Sequence, residues 1–130
     1  MKILSPAGLA EPRGYAHGVS CDGAIVFVSG QIGWNDDRSF TASDIAGQVR
    51  QALTNIVRIL AVASARPHHI ARMTWYVTDK RAYLAAQNDI GVAYREVIGR
   101  HYPAMSVVEV RALVEDAALV EIEATAVVPR

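Results

Sequence analysis

Two carboxylates near the C-terminal end are the first residues able to do chemistry. Glu121 and Glu123 stand two apart in Val120-Glu121-Ile122-Glu123-Ala124, so in an extended chain they share one face. At that spacing they are too close to act as acid and base on opposite sides of a substrate. Either can hold a water molecule and take its proton. Solvated outward positions of an edge strand would give the same alternation, and Glu109, between Val108 and Val110, is open to the same two readings. The run Gly30-Gln31-Ile32-Gly33-Trp34 forms a second group. Its two glycines let backbone N–H groups approach a ligand oxygen, or simply make a turn where a strand ends. Trp34 fits an aromatic lid or a satellite of the core. Tyr15 and His17 flank a loop after Pro12, from which they can reach into a cleft.

Other chemistries are poorly served. There is no Walker loop, GxGxxG, HExxH, CxxC or GxSxG motif. The four histidines lack metal-ligand spacing, and adjacent His68 and His69 would point apart on a strand. No metal and no cofactor are therefore expected. The single cysteine, Cys21, excludes an internal disulfide and a thiolate cluster. Thirteen basic and thirteen acidic side chains cancel, which removes the electrostatic footprint of a nucleic-acid or anionic-membrane binder. No apolar run approaches the ~18 residues of a membrane span. Met1–Pro6 lacks the apolar stretch of about 7–15 residues that marks a signal peptide. A cytoplasmic protein with one domain over residues 1–130 is expected, and 52% hydrophobic residues suffice for a core.

The elements that must position these groups can be read from periodicity. Asp22-Gly23 before Ala24–Val28 predicts a hairpin with Gly18–Cys21. Thr41 to about Ala65 predicts a long helix with Thr41 as cap, Asp44 in the first turn, and a buried stripe of Ile45, Val49, Ala52/Leu53, Ile56 and Leu60. Arg66-Pro67 stops it. Ile70–Val77 reads as a strand. Asp79 starts a second helix to about Arg100, with Tyr83, Ala86/Gln87, Ile90, Tyr94 and Val97/Ile98 as its stripe. Ser106–Leu113 and Leu119–Val127 are the last strands, with Glu115-Asp116 as the turn. The order β-β-β-α-β-α-β-β predicts an α+β two-layer sandwich: a six-stranded mixed sheet with two helices on one face. Ala24–Val28 is continuously apolar, as in strands buried on both faces. The sheet's second face then needs cover, and self-association supplies it economically.

Several segments, taken in order, resemble the Rid family (YjgF, reactive-intermediate deaminases). They are Gly14–Val19, Val28–Ile32, Gln48–Ile56, Tyr76–Asp79, Tyr102-Pro103-Ala104-x-Ser106-x-Val108-Glu109-Val110 and Val120–Ala124. The resemblance covers essentially the whole chain. It implies a chorismate-mutase-like fold and a homotrimer with clefts between subunits. It also implies cofactor-free hydrolysis of enamines and imines to an oxo compound and ammonia. Glu121 matches the family's water-positioning glutamate, Tyr15 its tyrosine, and Gly30, Gln31 and Gly33 its ligand-facing loop, with Trp34 beside it.

One departure stands out. Where the family's deaminases carry an arginine that clamps the substrate carboxylate, this chain has Met105; two residues on, where cysteine is common, it has Val107. A thioether offers neither charge nor forked donors. Losing such a contact costs on the order of 2–5 kcal/mol. The substrate expected is therefore not 2-aminoacrylate but a larger, flatter or less anionic imine; some of the wider family act on aminomuconate-type enamines. Arg111 would lie ~20 Å along the strand and cannot substitute, whereas Arg13 sits near Tyr15. The alternative is a non-catalytic or chaperone-like trimer that binds a small metabolite in the same cleft. The endoribonuclease label of some relatives fits poorly with zero net charge and no basic-aromatic patch.

Overall fold

The computed structural model describes residues 1–130. Its strands are β1 (Lys2–Leu4), β2 (Gly18–Ser20), β3 (Ala24–Gln31), β4 (Ile70–Val77), β5 (Ala104–Glu109) and β6 (Val120–Val128). Its helices are α1 (Ile45–Val62), α2 (Lys80–Ala85) and α3 (Gln87–Val97), with a 3-10 turn at Pro67–His69. All six strands are present, divided between a ribbon β1-β2 and a four-stranded sheet of order β3-β6-β4-β5. One bridge, Ala16 to Ala104, joins the ribbon's flank to β5. The β4–β5 pair is parallel, and β6 runs antiparallel to both its neighbours. The sheet is therefore mixed, and α2 and α3 form the crossover that a parallel pair requires.

The expected hairpin at Asp22-Gly23 does not form. Strand β2 pairs with β1, while β3 pairs with β6. Gly23 has φ +151° and lies so close to β6 that a Cβ there would sit 2.2 Å from the Val128 carbonyl oxygen. The glycine is needed for that approach, not for a two-residue turn.

Helix α1 begins three residues later than expected. Asp44 is its N-cap, with a carboxylate oxygen 3.2 Å from the Gly47 N–H. Thr41 instead accepts a hydrogen bond from the Asn35 amide at 2.6 Å. The helix closes as a Schellman turn: Ser64 takes φ +55° and the Ala65 N–H donates to Leu60. The predicted stripe is the buried one, since Val49, Ala52, Leu53, Ile56 and Leu60 are all fully enclosed. They pack on the alternate residues Val120, Ile122, Ala124 and Ala126 of β6 and on Ile70, Met73 and Val77 of β4. Arg50 and Arg58 point away and pair with Glu96 and Asp36.

The second helix is two pieces. Ala86, at φ −99° and ψ 11°, ends α2 and starts α3. Of the two, only α3 has fully buried residues, Ile90, Ala93 and Tyr94, whereas α2 touches the core through the partly buried Tyr83.

Gln48 is the one buried polar side chain. Its amide nitrogen donates to the carbonyls of Ala42 (3.2 Å) and Ala117 (3.0 Å), and its oxygen accepts from the Leu119 N–H (2.8 Å). This ties α1 to the segment entering β6. Gln48→Leu would strand two carbonyls and one N–H away from water, and is expected to lower unfolding free energy by about 3 kcal/mol. Urea denaturation measures this as a lower midpoint at unchanged slope.

Candidate active site

The two faces of the sheet carry different chemistry. On the helix face β4 and β5 place Met73, Trp75, Met105 and Val107 side by side. On the open face β6 and β4 place Glu121, Glu123, Tyr76 and Thr74, because successive residues alternate across a strand. The apolar residues expected to be covered on β3 lie open within one chain: Ile25 is 60% exposed and Phe27 79%.

Glu121 sits against Gly30. A Cβ at Gly30 would lie 2.7 Å from the Glu121 carboxyl carbon and from one of its oxygens, so the missing side chain is what lets the carboxylate rest on the β3 backbone. The register slips between Val28 and Gln31, a bulge that re-aims this part of the strand. Across the sheet Glu121 faces Tyr76. The Tyr76 hydroxyl donates to Glu123 Oε1 at 2.8 Å. That bond, then desolvation, raises the phenol pKa above its ordinary 10.0.

Tyr15, Met105 and Val107 come together elsewhere. They line a cavity of about 600 Å³ between β5, α3 and the loop at Arg13–Tyr15. Ala16 donates its N–H to the Pro103 carbonyl at 3.0 Å, which holds Tyr15 beside the start of β5. The rings of Trp75, Tyr94 and Tyr102 stack in sequence, with centroid distances of 6.3 and 5.5 Å. The Tyr94 hydroxyl donates to the His101 carbonyl, and the His101 ring bonds the Ile70 carbonyl oxygen. Burial pushes Tyr94 upward in pKa, as it does Tyr83.

The other predicted residues lie on the far edge. Gln31 and Trp34 border a shallow depression beside Asn55 and Arg58. The Arg38 guanidinium stands 5.6 Å from the Trp34 ring centroid, and Asn55 holds the Trp34 carbonyl at 2.9 Å. Gly33 is buried, with Gln48 of α1 only 3.0 Å from where its Cβ would be; helix packing explains this glycine. Strands β3 and β5 are opposite edges of a four-stranded sheet, three spacings or ~14 Å apart. One chain thus assembles Tyr15, Met105 and Val107 in one place and Gly30 with Glu121 in another, and does not bring the two sets together. No group of three His, Cys, Asp or Glu side chains converges anywhere, and no helix is long and apolar enough to cross a membrane.

The comparisons with known proteins bear on the whole of this architecture. The profile of the family described as Endoribonuclease L-PSP matches residues 7–128. A RutC family protein of Haemophilus influenzae is 35% identical over 105 residues, 81% of this chain and 80% of that protein. The chain belongs to the Rid family. A further Rid relative, the 2-iminobutanoate/2-iminopropanoate deaminase of Salmonella typhimurium, is 33% identical over 116 residues, 87% of this chain and 86% of that one. The crystal structure of the Rid protein YyfB from Yersinia pestis superposes with a TM-score of 0.86 at 30% identity, covering 98% of both chains. The Rid fold is thus established for this sequence at both levels.

Arg95, Tyr102 and Trp75 also line the cavity, and nothing in their sequence spacing marks them as such. Tyr83, Gln87, Ile90 and Tyr94 were legible as a helix stripe, but that stripe borders the cavity as well as the core.

Because a raised pKa means that the fold favours the protonated phenol, Tyr76 contributes stability below pH 10 that fades as pH climbs through the folded-state value. Glu123→Gln removes the charge that holds the proton. The variant is expected to ionise Tyr76 at lower pH, read as phenolate absorbance against a Tyr76→Phe control.

Proposed function

We propose that the protein is a hydrolytic deaminase of reactive enamines or imines, working at a cleft between copies of a homotrimer. The relatives named for 2-iminobutanoate and 2-iminopropanoate deamination support the reaction class. What supports the cleft is the separation just described: Glu121 lies on the uncovered sheet face of one chain, and Tyr15, Met105 and Val107 line the opposite edge. Only a second copy brings such groups together. The exposed Ile25 and Phe27 give the copies apolar area to bury.

The chemistry follows from the carboxylate. Glu121 takes a proton from a water molecule as the oxygen attacks the carbon of the protonated imine, giving a carbinolamine. Glu121 passes that proton to the nitrogen and then accepts the hydroxyl proton as the C=O bond forms and the C–N bond breaks, so that ammonia leaves with an oxo compound behind and carries the last proton away. Backbone groups of Gly30 and Gln31 orient the substrate at the Glu121 side, and Tyr15 at the other. Gly33 and Trp34 contribute by fixing the loop. The substrate is not 2-aminoacrylate, because Met105 cannot grip a small carboxylate.

A binding trimer without catalysis is the second reading, and Met105 is the observation favouring it. Imines of several sizes, generated in solution and followed with and without protein, separate the two. Under the deaminase reading Glu121→Gln lowers the rate by about 10²-fold or more with the fold intact. Gly30→Ala, which displaces only the flexible end of Glu121, is expected to fold normally and to lose most of the rate. Full activity in Glu121→Gln would refute the role of the carboxylate. No acceleration of any imine by the unaltered protein would leave the binding reading.

A further inference from the structure

The turn that joins α1 to β4 closes on a histidine. The His69 N–H donates to the Arg66 carbonyl at 2.9 Å, and the Arg66 N–H donates back to His69 Nδ1 at 3.0 Å. The second bond fixes the state of the ring. A nitrogen that accepts carries no proton, so the neutral imidazole holds its hydrogen on Nε2. Protonation puts a hydrogen on Nδ1, aimed at another N–H, and the bond is lost. An asparagine in this place would accept from the same N–H at any pH; a histidine does so only while uncharged.

The surroundings work against that charge. The His68 ring meets His69 edge-on, with centroids 4.2 Å apart. Arg66 belongs to the same turn, and His101 comes from the loop before β5. The end of α1 and its closing turn, residues 61–65, bring no titratable side chain, and neither does the end of β6, residues 124–128, which packs on this corner. Strand β4 brings Arg72. Beyond His68 and His101, Glu11, Tyr15 and His17 border a hollow that Arg100 and Tyr102 also line, and Glu11 forms a salt bridge with none of them. Desolvation first, then His68, Arg66 and His101, holds the His69 imidazole below its ordinary 6.5.

His101 meets protons differently. Its Nε2 lies 2.7 Å from the Ile70 carbonyl oxygen. A carbonyl only accepts, so the ring donates there, and it can donate in the neutral and the charged state alike. Ile70 is fully buried and opens β4. Tyr102, next to His101, stacks on Tyr94. The corner held by the two histidines is thus where the parallel strands β4 and β5 begin, with Arg72 beside Ala104.

We infer that His69 is a proton-operated latch on this corner. Neutral, it closes the turn between α1 and β4; protonated, it releases the Arg66 N–H, repels a charged His101, and loosens the entry to β4. The inference is independent of any reaction at the sheet. Its direction follows from linkage. The opened turn carries the ordinary histidine value and the closed turn a lower one. The closed form's advantage is therefore complete above pH 6.5 and is lost as pH falls from there through the folded-state value.

Nitrogen-15 NMR of the purified full chain, titrated from about pH 7.5 to about pH 4.5, tests this. His69 is expected as the Nε2–H tautomer at the upper end, with a pKa below 6.5. The Arg66 amide proton should shift along the same titration curve. His69→Asn supplies an acceptor that does not titrate, so its Arg66 amide should hold its position across the range. Urea denaturation reads the consequence for the whole fold. Between about pH 7 and about pH 5 the unfolding constant of the unaltered chain should rise at least about threefold more than that of His69→Asn. An Nδ1–H tautomer, an Arg66 amide that ignores the His69 titration, a His69 pKa at or above 6.5, or equal pH dependence in His69→Asn overturns the inference. If His69→Asn fails to fold, the titration of the unaltered chain decides alone.

Discussion

A primary amide with no access to water organises this fold. Gln48 uses both donor hydrogens and its oxygen on backbone groups from two separate segments. A half-satisfied amide there would be worse than a hydrophobic residue, so the segment leading into β6 has one permitted position. Seven residues further along α1, Asn55 does the same for the exit of β3, holding the Ile32 and Trp34 carbonyls. The two strands that bring Gly30 and Glu121 together are thus both referenced to one helix. The position of the carboxylate is set from behind the sheet, by residues that never touch a ligand.

The opposite edge is built on other principles. There the chain uses aromatic stacking and a single bridge between Ala16 and Ala104. Its wall comes from six separate segments: the Arg13 loop, β4, α2, α3, the turn at Tyr102 and β5. Such a site tolerates exchange of individual side chains more easily than the Gly30–Glu121 contact does, since no backbone approach closes on it. In this chain Glu121 rests on Gly30 while position 105 on the opposite edge carries a methionine.

Much of this architecture is readable in the sequence. The stripe on α1 and the alternation in β6 are strong periodic signals, and both buried faces match them. Glu121 was legible through its place in Val120–Ala124 and through the family resemblance. What failed was local. Asp22-Gly23 has hairpin composition, but its glycine serves a long-range approach to Val128, which no neighbouring residue reveals. Thr41 and Asp44 are both acceptable caps, and the choice depends on Asn35, six residues before Thr41. Arg95 gives no signal in the sequence, because its place beside the cavity is a property of the folded surface.

The uncovered sheet face has a mixed character with one more consequence. Along β3 it is oily, with Ile25 and Phe27 outward; one strand away, Glu121 and Glu123 run in a row beside Tyr76 and Thr74. Stripping hydration from a carboxylate costs several kcal/mol. A surface that closes over the oily edge therefore has every reason to stand off from the acidic row. The two rows thus ask for different neighbours: the β3 edge gains from burial against an apolar surface, whereas the β6 row keeps its hydration.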